Sequence, residues 1–140
     1  ERYQQKLSGP LLDRFDLHVY LDYERQLFDE DIATSRLDKY REESTSLRTQ
    51  VARCRHIQAE RYQRLGYSTV TQLTSEQLRS TVSLSTEAQS LLAQTSLEKS
   101  STGRGYWATL RVAQTLADLE ESAQITARHI AEASSFREMG

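Results

Sequence analysis

The sequence predicts a mainly α-helical protein, a helical bundle preceded by a single strand. Three observations predict it. Breakers are scarce, with one proline and five glycines in 140 residues, while the helix formers Gln, Glu, Arg, Leu and Ala are plentiful. From Ser46 onwards apolar residues recur three and four apart, the spacing of one helix face. One short stretch, Phe15 to Leu21, alternates with the period of a strand instead.

Taken in order, Ser8-Gly9-Pro10 is a break that stops any helix arriving before it. Phe15, Leu17, Val19 and Leu21 then alternate with Asp16, His18 and Tyr20. A lone strand is not stable, so its sheet partners are expected upstream of Glu1, in a preceding α/β core. Asp22 to Glu43 is acidic and without clear periodicity, which reads as a connector holding at most a short helical turn.

From Ser46 to Leu65 the pattern is helical, with Leu47, Val51, Cys54 and Ile57 on one face and Arg48, Arg53, Arg55, Arg61 and Arg64 on the others. Gly66 stands where a C-cap belongs, after an arginine-rich last turn that suits the helix dipole. Thr74-Ser75-Glu76-Gln77 has the form of a capping box and opens a short helix through Leu78. Ser85 or Thr86 caps the next helix, with Ala88, Leu91, Leu92 and Thr95 on a shared face. After a polar loop from Lys99 to Gly103, a helix from about Arg104 to Glu120 carries the stripe Trp107, Leu110, Ala113, Leu116 and Ala117. Thr126 caps the last helix, which buries Ile130 and Ala133.

Bulk properties narrow the function. A net charge of -2, with 37% hydrophobic and 27% charged residues, gives no global field towards nucleic acid or an anionic membrane. The single cysteine, Cys54, excludes an intrachain disulfide and a thiolate metal cluster and fits a reducing cytoplasm. No apolar run approaches the ~20 residues of a membrane span. His18, His56 and His129 are scattered and form no metal-ligand pattern, so no metal site is expected.

Two stretches say more. Leu7-Ser8-Gly9-Pro10-Leu11-Leu12-Asp13-Arg14-Phe15-Asp16-Leu17-His18-Val19 closely resembles a signature of the magnesium-chelatase-like AAA+ ATPase family, in its ComM- and YifB-like branch. The run from Gly103-Arg104-Gly105-Tyr106-Trp107 to Ala117-Asp118-Leu119-Glu120 resembles that family's lid helix, and Ile125 to Ala133 follows in register. The middle matches more weakly, with Val70-Thr71-Gln72 in place of an asparagine-containing turn. The resemblance implies three parts: residues 1–22 as the end of a core subdomain with an arginine-finger loop and strand, 23–45 as the acidic connector, and 46–138 as the helical lid.

It also implies roles. Arg14 matches the arginine-finger position, acting in trans on the neighbouring subunit's γ-phosphate. Arg104 matches the sensor-2 position, in cis or in trans, and Arg111, two turns on, is a weaker nucleotide contact. ATP and Mg²⁺ belong to the intact protein, a cytoplasmic homo-oligomeric ring (a hexamer), with no tight ligand expected on this segment. No G-x-x-x-x-G-K-[ST] loop and no Walker B strand end occur in the 140 residues, so this segment alone is not expected to hydrolyse ATP.

For the intact protein the resemblance implies a DNA-remodelling motor active in branch migration. The alternatives are a chelatase-type motor that inserts metal into a porphyrin and a helical protein-interaction adaptor. DNA is thus a possible partner, and Arg53 and Arg61 on the basic helix are its candidate backbone contacts. Solvated surface cations are the plainer account of that helix. On chemistry alone, Arg14 between Asp13 and Asp16 is a surface ion pair, and the surrounding signature is what lifts it to a finger.

Overall fold

The computed structural model describes residues 11, 14–19, 30–98 and 102–137, the side chains of 30–39 and 98 excepted. Among them are five α-helices: α1 (Glu30–Tyr62), α2 (Ser75–Thr81), α3 (Thr86–Glu98), α4 (Gly103–Leu119) and α5 (Ala127–Ser135). Two 3₁₀ turns, Gln63–Leu65 and Val70–Gln72, lie between α1 and α2. No helix among the described residues is long and apolar enough to cross a membrane. The mainly helical class read from the sequence is the class observed.

Local chemistry sets the helix ends. Gly66 takes the left-handed conformation, φ 75°, and its N–H returns to the Gln63 carbonyl at 3.1 Å, which closes α1 through a 3₁₀ turn. At the start of α2 the Gln77 N–H donates to Thr74 Oγ1 at 3.2 Å, and the Thr74 N–H donates to Gln77 Oε1 at 2.9 Å. The Ser85 hydroxyl accepts the Ala88 N–H at 3.2 Å and so caps α3. Thr102 does the same for α4, accepting the Gly105 N–H at 3.2 Å. At α5 the third residue is a histidine: the Thr126 N–H donates to His129 Nδ1 at 3.0 Å.

The loops before α3 and α5 pair as an isolated parallel bridge, Leu84 with Ile125, so these two helices leave side by side. α5 packs on both α3 and α4, and α1 packs on α4. The core is Tyr62, Val70, Leu73, Leu78, Leu92, Leu110, Ile125 and Ile130, with Ala88, Ala113, Ala117 and Ala133 fully buried among them. Burial of this kind is the main stabilising term in a bundle.

Two expectations are corrected. The acidic stretch is not a connector from residue 30 onwards, because α1 begins at Glu30. Every residue from Tyr40 to Arg53 is exposed, so the acidic part of this stretch, before Ser46, has no buried face to impose a helical period. Leu47 and Val51 of the expected apolar face lie in solvent, leaving Cys54 as its first buried member. Residues 15–19 form no strand. The alternation is real but points outward: Phe15, Leu17 and Val19 are exposed, while Asp16 and His18 are half-buried. With no neighbouring strand among the described residues, the segment uses the end of α5, and the His18 N–H donates to the Phe136 carbonyl at 2.7 Å. Residues 20 and 21 of the expected strand, and 23–29 of the expected connector, lie outside the described residues.

α1 and α4 are joined through a buried carboxylate. The Asp118 side chain is fully buried, and its Oδ1 accepts from Arg61 Nη1 at 2.5 Å and from Gln114 Nε2 at 2.8 Å. Gln58 Nε2 donates to Oδ2 at 3.1 Å and touches Cys54 Sγ at 3.6 Å. Burial, and then Asp118, pushes the Cys54 thiol above its usual range, so it packs as an inert small side chain.

Arg61→Ala would leave that carboxylate without its counter-charge and cost about 3 kcal/mol. Urea unfolding should show this loss, with part of it recovered by adding Asp118→Asn, which removes the bare charge.

A second prediction concerns pH. With Nδ1 accepting, the His129 proton sits on Nε2 and faces Glu120 Oε2 at 3.0 Å, and Arg128 binds the same oxygen. Hydrogen bonds from His129 and then Arg128 lower the Glu120 pKa. The contribution is therefore complete above the unfolded carboxylate value, about 4.3, and is lost as the pH falls through the lower folded value. Glu120→Gln should flatten the acid limb of a stability–pH curve below about pH 4, and an identical acid limb would contradict the assignment.

Candidate nucleotide-facing site

The cationic residues singled out in the sequence divide into two groups. Arg104 lies in the first turn of α4 and is exposed. That turn contains no acidic residue, and its N–H groups and dipole favour an anion. Arg111 lies two turns along. Its Nε is buried and has no hydrogen-bond partner among the described residues. It borders a groove of about 300 Å³ whose walls are mostly apolar, among them Leu17, Val70, Val112, Leu116 and Phe136.

Arg14 is far from both in sequence and is exposed, its N–H closing a turn onto the Leu11 carbonyl at 3.0 Å. The chain just after it is fixed at two points. One is the backbone bond from His18 to Phe136. The other is Arg137, whose Nη1 donates to the Phe15 carbonyl at 3.0 Å. The same guanidinium lies against the start of α4: a Cβ built on Gly105 would stand 3.4 Å from Arg137 Nη2. The segment carrying Arg14 and the helix turn carrying Arg104 therefore meet at one end of the bundle.

The DNA candidates fare differently from each other. Arg61 is turned inward to Asp118 and is only 27% exposed. Arg53 is exposed, with Glu121 Oε1 at 3.7 Å. The cations of the basic helix are spread around α1: Arg48 and Arg55 share a face, whereas Arg53 and Arg61 lie on others. His56 pairs with Glu60 at 3.5 Å.

Arg137 was not singled out by the sequence. A cation following the last apolar turn reads as an ordinary surface residue. Its two contacts, Phe15 and Gly105, are joined only by the fold, so no local spacing could have pointed to it.

Comparison with known proteins agrees with this architecture. The family described as magnesium chelatase, subunit ChlI C-terminal, matches residues 41–137. Competence protein ComM of Haemophilus influenzae is 32% identical over 138 residues, which is 99% of this chain and 25% of that protein. An uncharacterized protein of Mycobacterium tuberculosis is 36% identical over 140 residues, 99% of this chain and 26% of its own length. Uncharacterized protein YifB of Escherichia coli is 30% identical over 137 residues, 97% of this chain and 25% of its own. The chain thus spans about a quarter of the length of the curated relatives it matches. With most of its described helices inside the matched stretch, the chain belongs to the magnesium-chelatase C-terminal family, in company with ComM and YifB.

Proposed function

We propose that this chain supplies the arginine finger, Arg14, and the sensor-2 arginine, Arg104, to an ATP site at the subunit boundary of a ring-shaped AAA+ motor. The observation that carries the reading is the meeting, at one end of the bundle, of the Arg14 segment with the acid-free first turn of α4. An exposed guanidinium can reach a neighbouring subunit's γ-phosphate and stabilise the charge spread over its oxygens as the phosphoryl group leaves. Arg104, at a helix N-terminus, suits a phosphate contact that registers the loss of that charge. Arg111 and its groove offer a further contact deeper along α4.

ATP and Mg²⁺ would be held by parts of the intact protein other than these residues. The ring is a homo-oligomer, a hexamer on the family pattern, working in the cytoplasm. In this reading it remodels DNA, promoting branch migration, with Arg53 an exposed candidate for backbone contact. A chelatase-type motor is the second reading, favoured by the match of residues 41–137 to the chelatase subunit.

The test is the ATPase rate of the full-length polypeptide carrying this segment, with and without branched DNA. Arg14→Ala should lower kcat about a thousandfold. Mixing it with subunits inactive in their own ATP site should restore activity, because the finger acts across the boundary. Stimulation by DNA favours remodelling, and indifference to DNA favours the chelatase-type motor. A full rate in Arg14→Ala would remove the finger assignment.

A further inference from the structure

We infer that Arg137 is a positioning residue that sets the Arg14 segment against the first turn of α4, fixing the finger relative to Arg104. The inference rests on the finger reading of Arg14.

The geometry begins at the end of α5. Ile130 and Ala133 anchor that helix in the core. Its last turn then fixes the backbone that follows: the Phe136 N–H donates to the Glu132 carbonyl at 3.4 Å and the Arg137 N–H to the Ser134 carbonyl at 3.0 Å. Arg137 therefore starts from a rigid base. One prong of its guanidinium, Nη1, holds the Phe15 carbonyl, one residue after Arg14. The other, Nη2, faces Gly105, one residue after Arg104: a Cβ built on that glycine would stand 3.4 Å from it, at ordinary van der Waals contact.

The neighbouring bond from His18 to Phe136 braces the far end of the same stretch. Residues 15–18 are thus held at both ends by two consecutive residues, Phe136 and Arg137.

Two chemical points favour a positioning role over simple stabilisation. A cation beside the first turn of a helix gains nothing from the helix dipole, so stability alone does not select arginine there. The task also needs a flat group wide enough to bond the Phe15 carbonyl with one nitrogen while a second reaches the start of α4, a breadth that a guanidinium has and an ammonium lacks. Arg137 itself need not touch nucleotide. It acts through where it leaves Arg14, and small misplacements of a catalytic group are expensive in rate.

The experiment compares Arg137→Ala and Arg137→Lys with Arg14→Ala in the full-length polypeptide, reading kcat, the KM for ATP, and hydrogen exchange at residues 15–19. Arg137→Ala should lower kcat about tenfold with KM nearly unchanged. It should also speed exchange of the His18 amide about fivefold, while amides of α4 and α5 stay protected. Arg137→Lys should fall between, keeping one prong of two. If Arg137→Ala does not fold, Arg137→Gln replaces it, with effects in the same direction.

Unchanged exchange at 15–19 would overturn the inference. So would an unchanged kcat in Arg137→Ala beside a collapsed one in Arg14→Ala. If Arg14→Ala itself leaves kcat untouched, the finger reading falls, while faster exchange in Arg137→Ala still upholds Arg137 as the brace of the segment.

Discussion

Asp118 is a carboxylate with no exposed surface, and α1 is seated on it. A buried charge of this kind is tolerable only when every lone pair finds a donor and a counter-charge stands close. Here α4 contributes Gln114, four residues before the aspartate, and α1 contributes Gln58 and Arg61, one turn apart. The requirement is strict enough to set the register of the two helices. Sliding α1 by a single residue would carry both donors off the face that meets α4. Apolar burial holds the bundle together, and Asp118 decides how α1 is placed on it.

α4 has different chemistry at its two ends. Its last turn carries Asp118 and leads into Glu120, which meets Arg128 and His129 of α5, so each of these charges has a partner within the protein. Its first turn carries Arg104 and is approached by Arg137, with no carboxylate of its own. Between the ends, small residues at 108, 113 and 117 let the neighbouring helices pack tightly against it. One 17-residue helix therefore joins an internally paired electrostatic network to a first turn without acidic residues.

How far the sequence could be read follows from the range of each interaction. Thr74, Thr126 and Gly66 are legible because a cap is settled within three or four residues, and so is the core stripe of α4. Thr102 falls in the expected loop although it caps α4, two residues before the expected start at Arg104. The Arg61–Asp118 pair joins residues in different helices, and no local pattern separates Arg61 from the other cations of α1. The start of α1 is illegible for the opposite reason: Tyr40 to Thr45 are exposed, so no buried face imposes a period there. Phe15 to Val19 alternate as a strand would, but the sheet that this pattern implies is not among the described residues. Arg14, Arg104 and Arg111 were reached through family resemblance, and the structure added the neighbours that tie the first two to one end of the bundle.

The exposed length of α1 has a mechanical consequence. Among its described side chains, helix α1 is gripped from Gln50, which donates to the Leu119 carbonyl, to Tyr62, at one end of its 33 residues. The stretch 30–49 rises about 30 Å beyond that grip. A tilt of about 10° at the grip would sweep its tip through roughly 5 Å, by the geometry of a rigid rod. A displacement too small to disturb core packing would thus arrive at the far end as a stroke comparable to one helical turn. The grip and the rod together make a lever, with the grip as its fulcrum.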